Sequence, residues 1–138
     1  MSLQQKRALV SLIVIGIAAA GYADHVMKAP PQTVFQLWGP LVATAVGLTA
    51  TMIFAHVLLA IGVGAEALRH KTDETDRRVR TAAWRNAGWV LAAGVFLIIG
   101  LALVAAPQVL LLQAAVAVFV LGEMVRYGSE LVLRRSAA

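Results

Sequence analysis

Residues 41–64 read LVATAVGLTATMIFAHVLLAIGVG, twenty-four positions without a single Asp, Glu, Lys or Arg. A helix that crosses roughly 30 Å of hydrocarbon needs about 20 apolar residues at 1.5 Å each, so this stretch alone is long enough to span a bilayer. Residues 86–106, NAGWVLAAGVFLIIGLALVAA, meet the same test. Two shorter apolar stretches, 8–23 and 108–122, lie at the two ends of the chain. Their spans are completed by side chains that snorkel to the interface, Lys6 and Arg7 on the first and Arg126 on the fourth. Composition agrees, because a chain of 138 residues that is 60% hydrophobic lacks the polar surface to cover a soluble globule.

The expected fold is therefore all-α, an integral membrane four-helix bundle running up-down-up-down. Its spans fall at about 6–23, 41–64, 84–106 and 108–127, with cytoplasmic helical extensions at about 72–83 and 128–135. Lys and Arg placement sets the orientation. The amino terminus carries Lys6 and Arg7, and the second loop region carries Arg69, Lys71, Arg77, Arg78, Arg80 and Arg85. Arg126, Arg134 and Arg135 close the chain, whereas the first loop has only Lys28 and the third has none. Both termini and the second loop then face the cytoplasm, which places the protein in a bacterial inner membrane. Tyr22 and Trp38 would mark the outer interface, and Trp84, Trp89 and Tyr127 the inner one.

A competing reading makes the first stretch a cleavable signal peptide, with residues 21–23 (Gly-Tyr-Ala) as a small-x-small site. Retention is favoured, since cleavage would leave three spans. The net charge of +5 is assigned to orientation and anionic headgroups, not to nucleic acid. The arginines expected to meet lipid headgroups are Arg77, Arg78, Arg80, Arg85, Arg134 and Arg135. With no cysteine there is no disulfide, thiol nucleophile or thiolate metal site.

Prolines punctuate the outer side. Pro30, Pro31 and Pro40 define a loop over residues 24–40, with Val34, Phe35, Leu37 and Trp38 as an apolar patch resting at the headgroups. Pro40 and Pro107 are read as opening the second and fourth spans. In the cytoplasmic connection Thr72 is the expected N-cap. Asp73–Arg77, Glu74–Arg78 and Asp76–Arg80 are acid-before-base pairs at i,i+4. Glu123–Arg126, Arg126–Glu130 and Glu130–Arg134 form a matching ladder on the last helix.

The stretch KTDETDRRVR (71–80), followed by NAGWVL (86–91), resembles the "DERDR" segment and following span of a group of small four-helix bacterial membrane proteins. GEMVRYG (122–128) and LVLRR (131–135) look like that group's closing helix. The likeness covers roughly residues 50–135. The chain departs from it at Thr75, where the group more often has a charged residue. What the resemblance implies is topology; the group has no assigned function and supplies no active site.

Ionisable residues within a bilayer are costly and become functional candidates by default. Two qualify, His56 and Glu123, lying sixteen residues after Pro40 and Pro107 respectively. At the helical rise both sit about 24 Å from the outer surface, so they are at equal depth. One reading pairs them across the bundle as a proton-responsive couple. The other gives His56 a hydrogen bond to Thr51, Thr49 or a backbone carbonyl, and Glu123 an ion pair with Arg126. The histidines His25, His56 and His70 fall in three separate places, so no metal or haem site is expected, and no cofactor. No phosphate loop, nucleophile triad or catalytic carboxylate pair is present, and no catalytic residue is assigned.

Small residues carry the clearest association signal. Ala43, Gly47, Thr51 and Ala55 recur every four positions on the second span, a ridge that lets backbones approach closely. Gly88, Ala92, Ala93 and Gly100 partly repeat it on the third. The ridge serves either the monomer's own packing or contact with a second copy or another membrane subunit. The expected function is that of a non-enzymatic accessory, regulatory or self-associating subunit. The alternative is a small proton-coupled transporter using Glu123.

Overall fold

A computed structural model describes residues 3–68 and 74–136. They form four α-helices: α1 (Leu3–Lys28), α2 (Val34–Leu68), α3 (Glu74–Leu103) and α4 (Gln108–Ser136). The protein is all-α, and each helix is long and apolar enough to cross a membrane. The predicted N-cap Thr72, the pair Asp73–Arg77 and the histidine His70 lie outside the described residues.

The loop predicted over residues 24–40 is mostly helix. An ion pair from Lys28 Nζ to Asp24 Oδ2, 2.7 Å at i,i+4, lies on the last turn of α1. The turn is then only residues 29–33, and α2 starts at Val34. Gln36 Oε1 accepts a 2.7 Å hydrogen bond from the Gln32 N–H, which satisfies a donor that would otherwise be orphaned at the helix start. The Val34–Trp38 patch is thus the opening of α2, with Leu37 buried and Phe35 and Trp38 exposed. Pro40 does not open the span. It sits inside α2, six residues after Val34. An apolar surrounding offers no competing hydrogen-bond partners, so a helix continues through proline there more readily than in water.

Pro107 stands where expected. Its carbonyl accepts from Leu110 N (2.9 Å) and Leu111 N (3.1 Å), capping the start of α4. The preceding end of α3 is a Schellman motif, with Ala106 N to Leu101 O and Ala105 N to Ala102 O, both 3.0 Å. That motif needs a left-handed residue, and Ala105 takes it at φ 54°. An L-residue pays about 1–2 kcal/mol for this region and glycine almost nothing, while glycine gives back part of the gain through its freer unfolded chain. Ala105→Gly should therefore raise stability by about 0.5–1 kcal/mol. Thermal unfolding in detergent measures this, and an unchanged midpoint would mean that the turn does not limit stability.

The closest packing joins α3 to α4. Buried Val79, Ala83 and Ala87 recur every four residues along α3, and Gly122 is buried on α4. A methyl group added at Gly94 would overlap both methyls of Val118 and lie 2.9 Å from its Cβ. One added at Gly122 would lie 2.9 Å from Leu91 Cδ2. Gly88 and Gly100, the glycines read as a ridge on α3, have nothing within 4 Å. The close approach thus uses a different face of α3 from the one the four-residue spacing marked.

α4 also packs on α1, and α1 on α2; α2 leans against α4. Among the described residues no Cα of α3 comes within 8 Å of α1 or α2. The bundle is a ring of helices left open between α2 and α3. Contacts along α1–α2 and along α3–α4 climb one helix as they descend the other, so each of these pairs is antiparallel.

Candidate functional site

The polar residues of the spans gather on two seams. On the first, α1 buries Ala8, Ser11 and Ile15, a spacing of three and four that defines one helix face. Ser11 is wholly inaccessible, and its Oγ lies 3.3 Å from Nε2 of His56 on α2. His56 therefore spends its ring nitrogen on a neighbouring helix, not on Thr51 or Thr49. Thr49 instead bonds back to the Ala45 carbonyl at 2.8 Å.

The second seam lies between α3 and α4 toward the end that carries the start of α3. Arg126 Nη1 contacts both oxygens of Glu123, at 3.1 and 2.9 Å, one turn apart on α4. The guanidinium is stacked 4.2 Å from the Trp84 ring centroid and 4.6 Å from that of Tyr127, and Nη2 reaches the Tyr127 hydroxyl at 3.3 Å. A planar, weakly hydrated cation suits this setting, since it keeps its charge while resting against two π systems. Asn86 Nδ2 donates to Ser129 Oγ at 3.1 Å, and Arg134 Nη1 bonds Asp76 Oδ1 across the helices.

These partners settle where each sequence-derived site residue lies. His56 and Glu123 are not joined: His56 faces Ser11 on α1, and Glu123 is held by Arg126. The reason is the packing order, because α2 rests chiefly on α1 while the carboxylate end of α4 is turned to α3. Glu74–Arg78 forms as expected at 2.6 Å. Asp76–Arg80 does not; Asp76 takes Arg134 instead, since a side chain on a packed neighbour is better desolvated than one on the same exposed helix face. Neither Arg126–Glu130 nor Glu130–Arg134 forms among the described residues. Arg134 is consequently turned inward, whereas Arg77, Arg78, Arg80, Arg85 and Arg135 remain exposed.

The small-residue ridge is not spent on the monomer's interior. Ala43, Gly47 and Thr51 are exposed and Ala55 is half-buried. Gly47 has nothing within 4 Å of where a Cβ would stand. Gly47 and Thr51 line the edge of a groove between α1 and α2 instead. Among the described residues no group of three metal-ligating side chains converges.

Sequence reasoning missed Ser11, Gly94, Gly122 and the Trp84 stack. Ser11 was visible in principle, sitting three after Ala8 and four before Ile15 on what became the buried face. The other three depend on which helices are neighbours, which no local spacing encodes. Comparison with known proteins gives no family model, no curated protein and no solved structure that matches this chain.

Proposed function

We propose that this chain is a non-enzymatic integral membrane subunit that works by association within the bilayer, self-associating or serving as an accessory to another membrane protein. The observation that carries this reading is the exposure of α2. Its most apolar stretch has none of its residues buried, and Ala43, Gly47 and Thr51 on its ridge are exposed. Without a hydrophobic drive between helices in lipid, small residues that permit close backbone contact are what promote helix association. A second copy brought against this ridge would use it.

The proposed orientation is both termini and the α2–α3 connection on the cytoplasmic side of a bacterial inner membrane. In support, the exposed arginines Arg77, Arg78, Arg80, Arg85 and Arg135 cluster near one end of the α3–α4 pair, while Lys28 at the α1–α2 turn is neutralised by Asp24. The resemblance of residues 71–80 to small four-helix membrane proteins belongs with this proposal. A transporter reading is disfavoured by the engagement of Glu123, since both its oxygens are taken by Arg126.

Native mass spectrometry of protein extracted in mild detergent tests the reading. The expected result is a dimer or a defined complex that Ala43→Leu dissociates, Ala43 being exposed and free to accept a larger side chain. A strictly monomeric wild-type protein with no partner would overturn it. Proton flux in proteoliposomes abolished by Glu123→Gln would overturn it in favour of transport.

A further inference from the structure

Among the described residues three arginines are partly buried, Arg7, Arg126 and Arg134. Two of them hold a carboxylate, Arg126 that of Glu123 and Arg134 that of Asp76. Arg7 holds none, and among the described residues it has no ion-pair or hydrogen-bond partner. A cation drawn partly out of water without a counter-charge is costly. A partner from outside the chain would relieve it.

Its setting says which counter-charge it suits. On α1, Arg7 precedes Ser11 by four residues, Val14 by seven and Ala18 by eleven, which is one helix face. Ser11 reaches His56 of α2, and Val14 and Ala18 border α2 as well. Arg7 therefore stands at the end of the α1–α2 seam away from the turn. No residue of α2 from Val34 to Gly62 is acidic, and the one acid of α1, Asp24, is bonded to Lys28 at the turn. Lys28 is 21 residues further along α1, about 32 Å at the helical rise and one hydrocarbon thickness. With the turn at one surface of the bilayer, Arg7 lies at the other, where the abundant anion is the lipid phosphate.

The guanidinium is also presented for that group. Its Nε is enclosed and unbonded, whereas Nη1 and Nη2 stay accessible and bond nothing. Packing thus leaves the fork end outward, two donors spaced for two oxygens of one phosphate. Lys6 precedes it, exposed, and the chain has no acidic residue before Asp24. We propose that Arg7 binds the phosphate of one anionic phospholipid in the leaflet at the amino-terminal end of α1, end-on through Nη1 and Nη2. Lys6 supplies the excess charge that favours an anionic headgroup over a zwitterionic one.

The test is native mass spectrometry of the full chain, extracted and delipidated in detergent and titrated with dioleoylphosphatidylglycerol. Dioleoylphosphatidylethanolamine and inorganic phosphate are run in parallel. One phosphatidylglycerol should be retained per chain, about fivefold more tightly than phosphatidylethanolamine. Arg7→Met should weaken its retention about tenfold or more, the scale of a charge-assisted hydrogen bond. Arg7→Lys keeps the charge without the fork and should fall between. Arg80→Met, at an exposed arginine, should change nothing. Thermal unfolding separates loss of the lipid from loss of the fold. In delipidated detergent Arg7→Met should melt at or above the wild type, since it removes an unpaired charge and keeps an unbranched stem. Added phosphatidylglycerol should raise the wild-type midpoint and leave that of the variant in place. A lower midpoint for delipidated Arg7→Met would give Arg7 a partner within the chain and overturn the inference. So would equal retention of the two lipids, wild-type retention by Arg7→Lys, an equal loss from Arg80→Met, or inorganic phosphate that displaces the lipid.

Discussion

Gly94→Ala should part α3 from α4 and lower stability by about 1–3 kcal/mol, the range for forcing extra volume into a packed core. The added methyl would overlap the branched side chain of Val118, whose two methyls are fixed at a β-branched carbon and cannot swing clear without changing rotamer. Alanine's better helix propensity, about 1 kcal/mol over glycine, opposes this only in part. Gly122→Ala should cost less, because the nearest atoms are the far end of Leu91, which can rotate away. Gly88→Ala and Gly100→Ala should be neutral or mildly stabilising, since nothing stands within 4 Å of either. Thermal unfolding of the four variants in detergent gives the order directly. If Gly94→Ala matched Gly88→Ala, the close α3–α4 approach would be excluded.

Breaking the Glu123–Arg126 pair should have the other large effect. The two side chains are 23% and 17% exposed, so removing one leaves its partner mostly desolvated. Loss of one member of a buried pair typically costs about 3–5 kcal/mol; the residual exposure here lowers the expectation to about 2–3 kcal/mol for Glu123→Ala. Arg126→Met should cost a comparable amount, with the lost stacking on Trp84 and Tyr127 added. The double variant should recover part of the loss, giving a clear coupling energy. His56→Leu combined with Glu123→Ala should instead be additive to within about 0.5 kcal/mol, because the two share no partner. The cost of His56→Leu alone is modest, since Ser11 can return its proton to a carbonyl of its own helix. Strong coupling between His56 and Glu123, with none between Glu123 and Arg126, would reverse the partner assignment.

Much of the site's failure to appear in the sequence has one cause. Spacing rules describe what a side chain can reach on its own helix, and they found Glu74–Arg78 and Glu123–Arg126 for that reason. Asp76, His56 and Asn86 chose partners on other helices, at sequence distances of 58, 45 and 43 residues. Pro40 misled for a related reason: proline was read as a start signal, while the actual start, Val34, lies six residues earlier, beside the Gln32–Gln36 bond and the buried Leu37.

What the sequence determined by itself is the set of four apolar helices. Transfer of apolar residues out of water is nearly additive along the chain, so hydropathy alone shows which stretches are long enough to cross a bilayer. The four-residue spacing of the ridge on α2 was equally legible, as was the basic character of the loops. Only the tertiary structure decided that α3 lies against α4 and away from α2, that the α2 ridge stays uncovered, and that Tyr22 is left holding a proton with no acceptor. The first of these turns on close approach at Gly94 and Gly122, where the absence of two Cβ atoms lets α3 and α4 pack tightly.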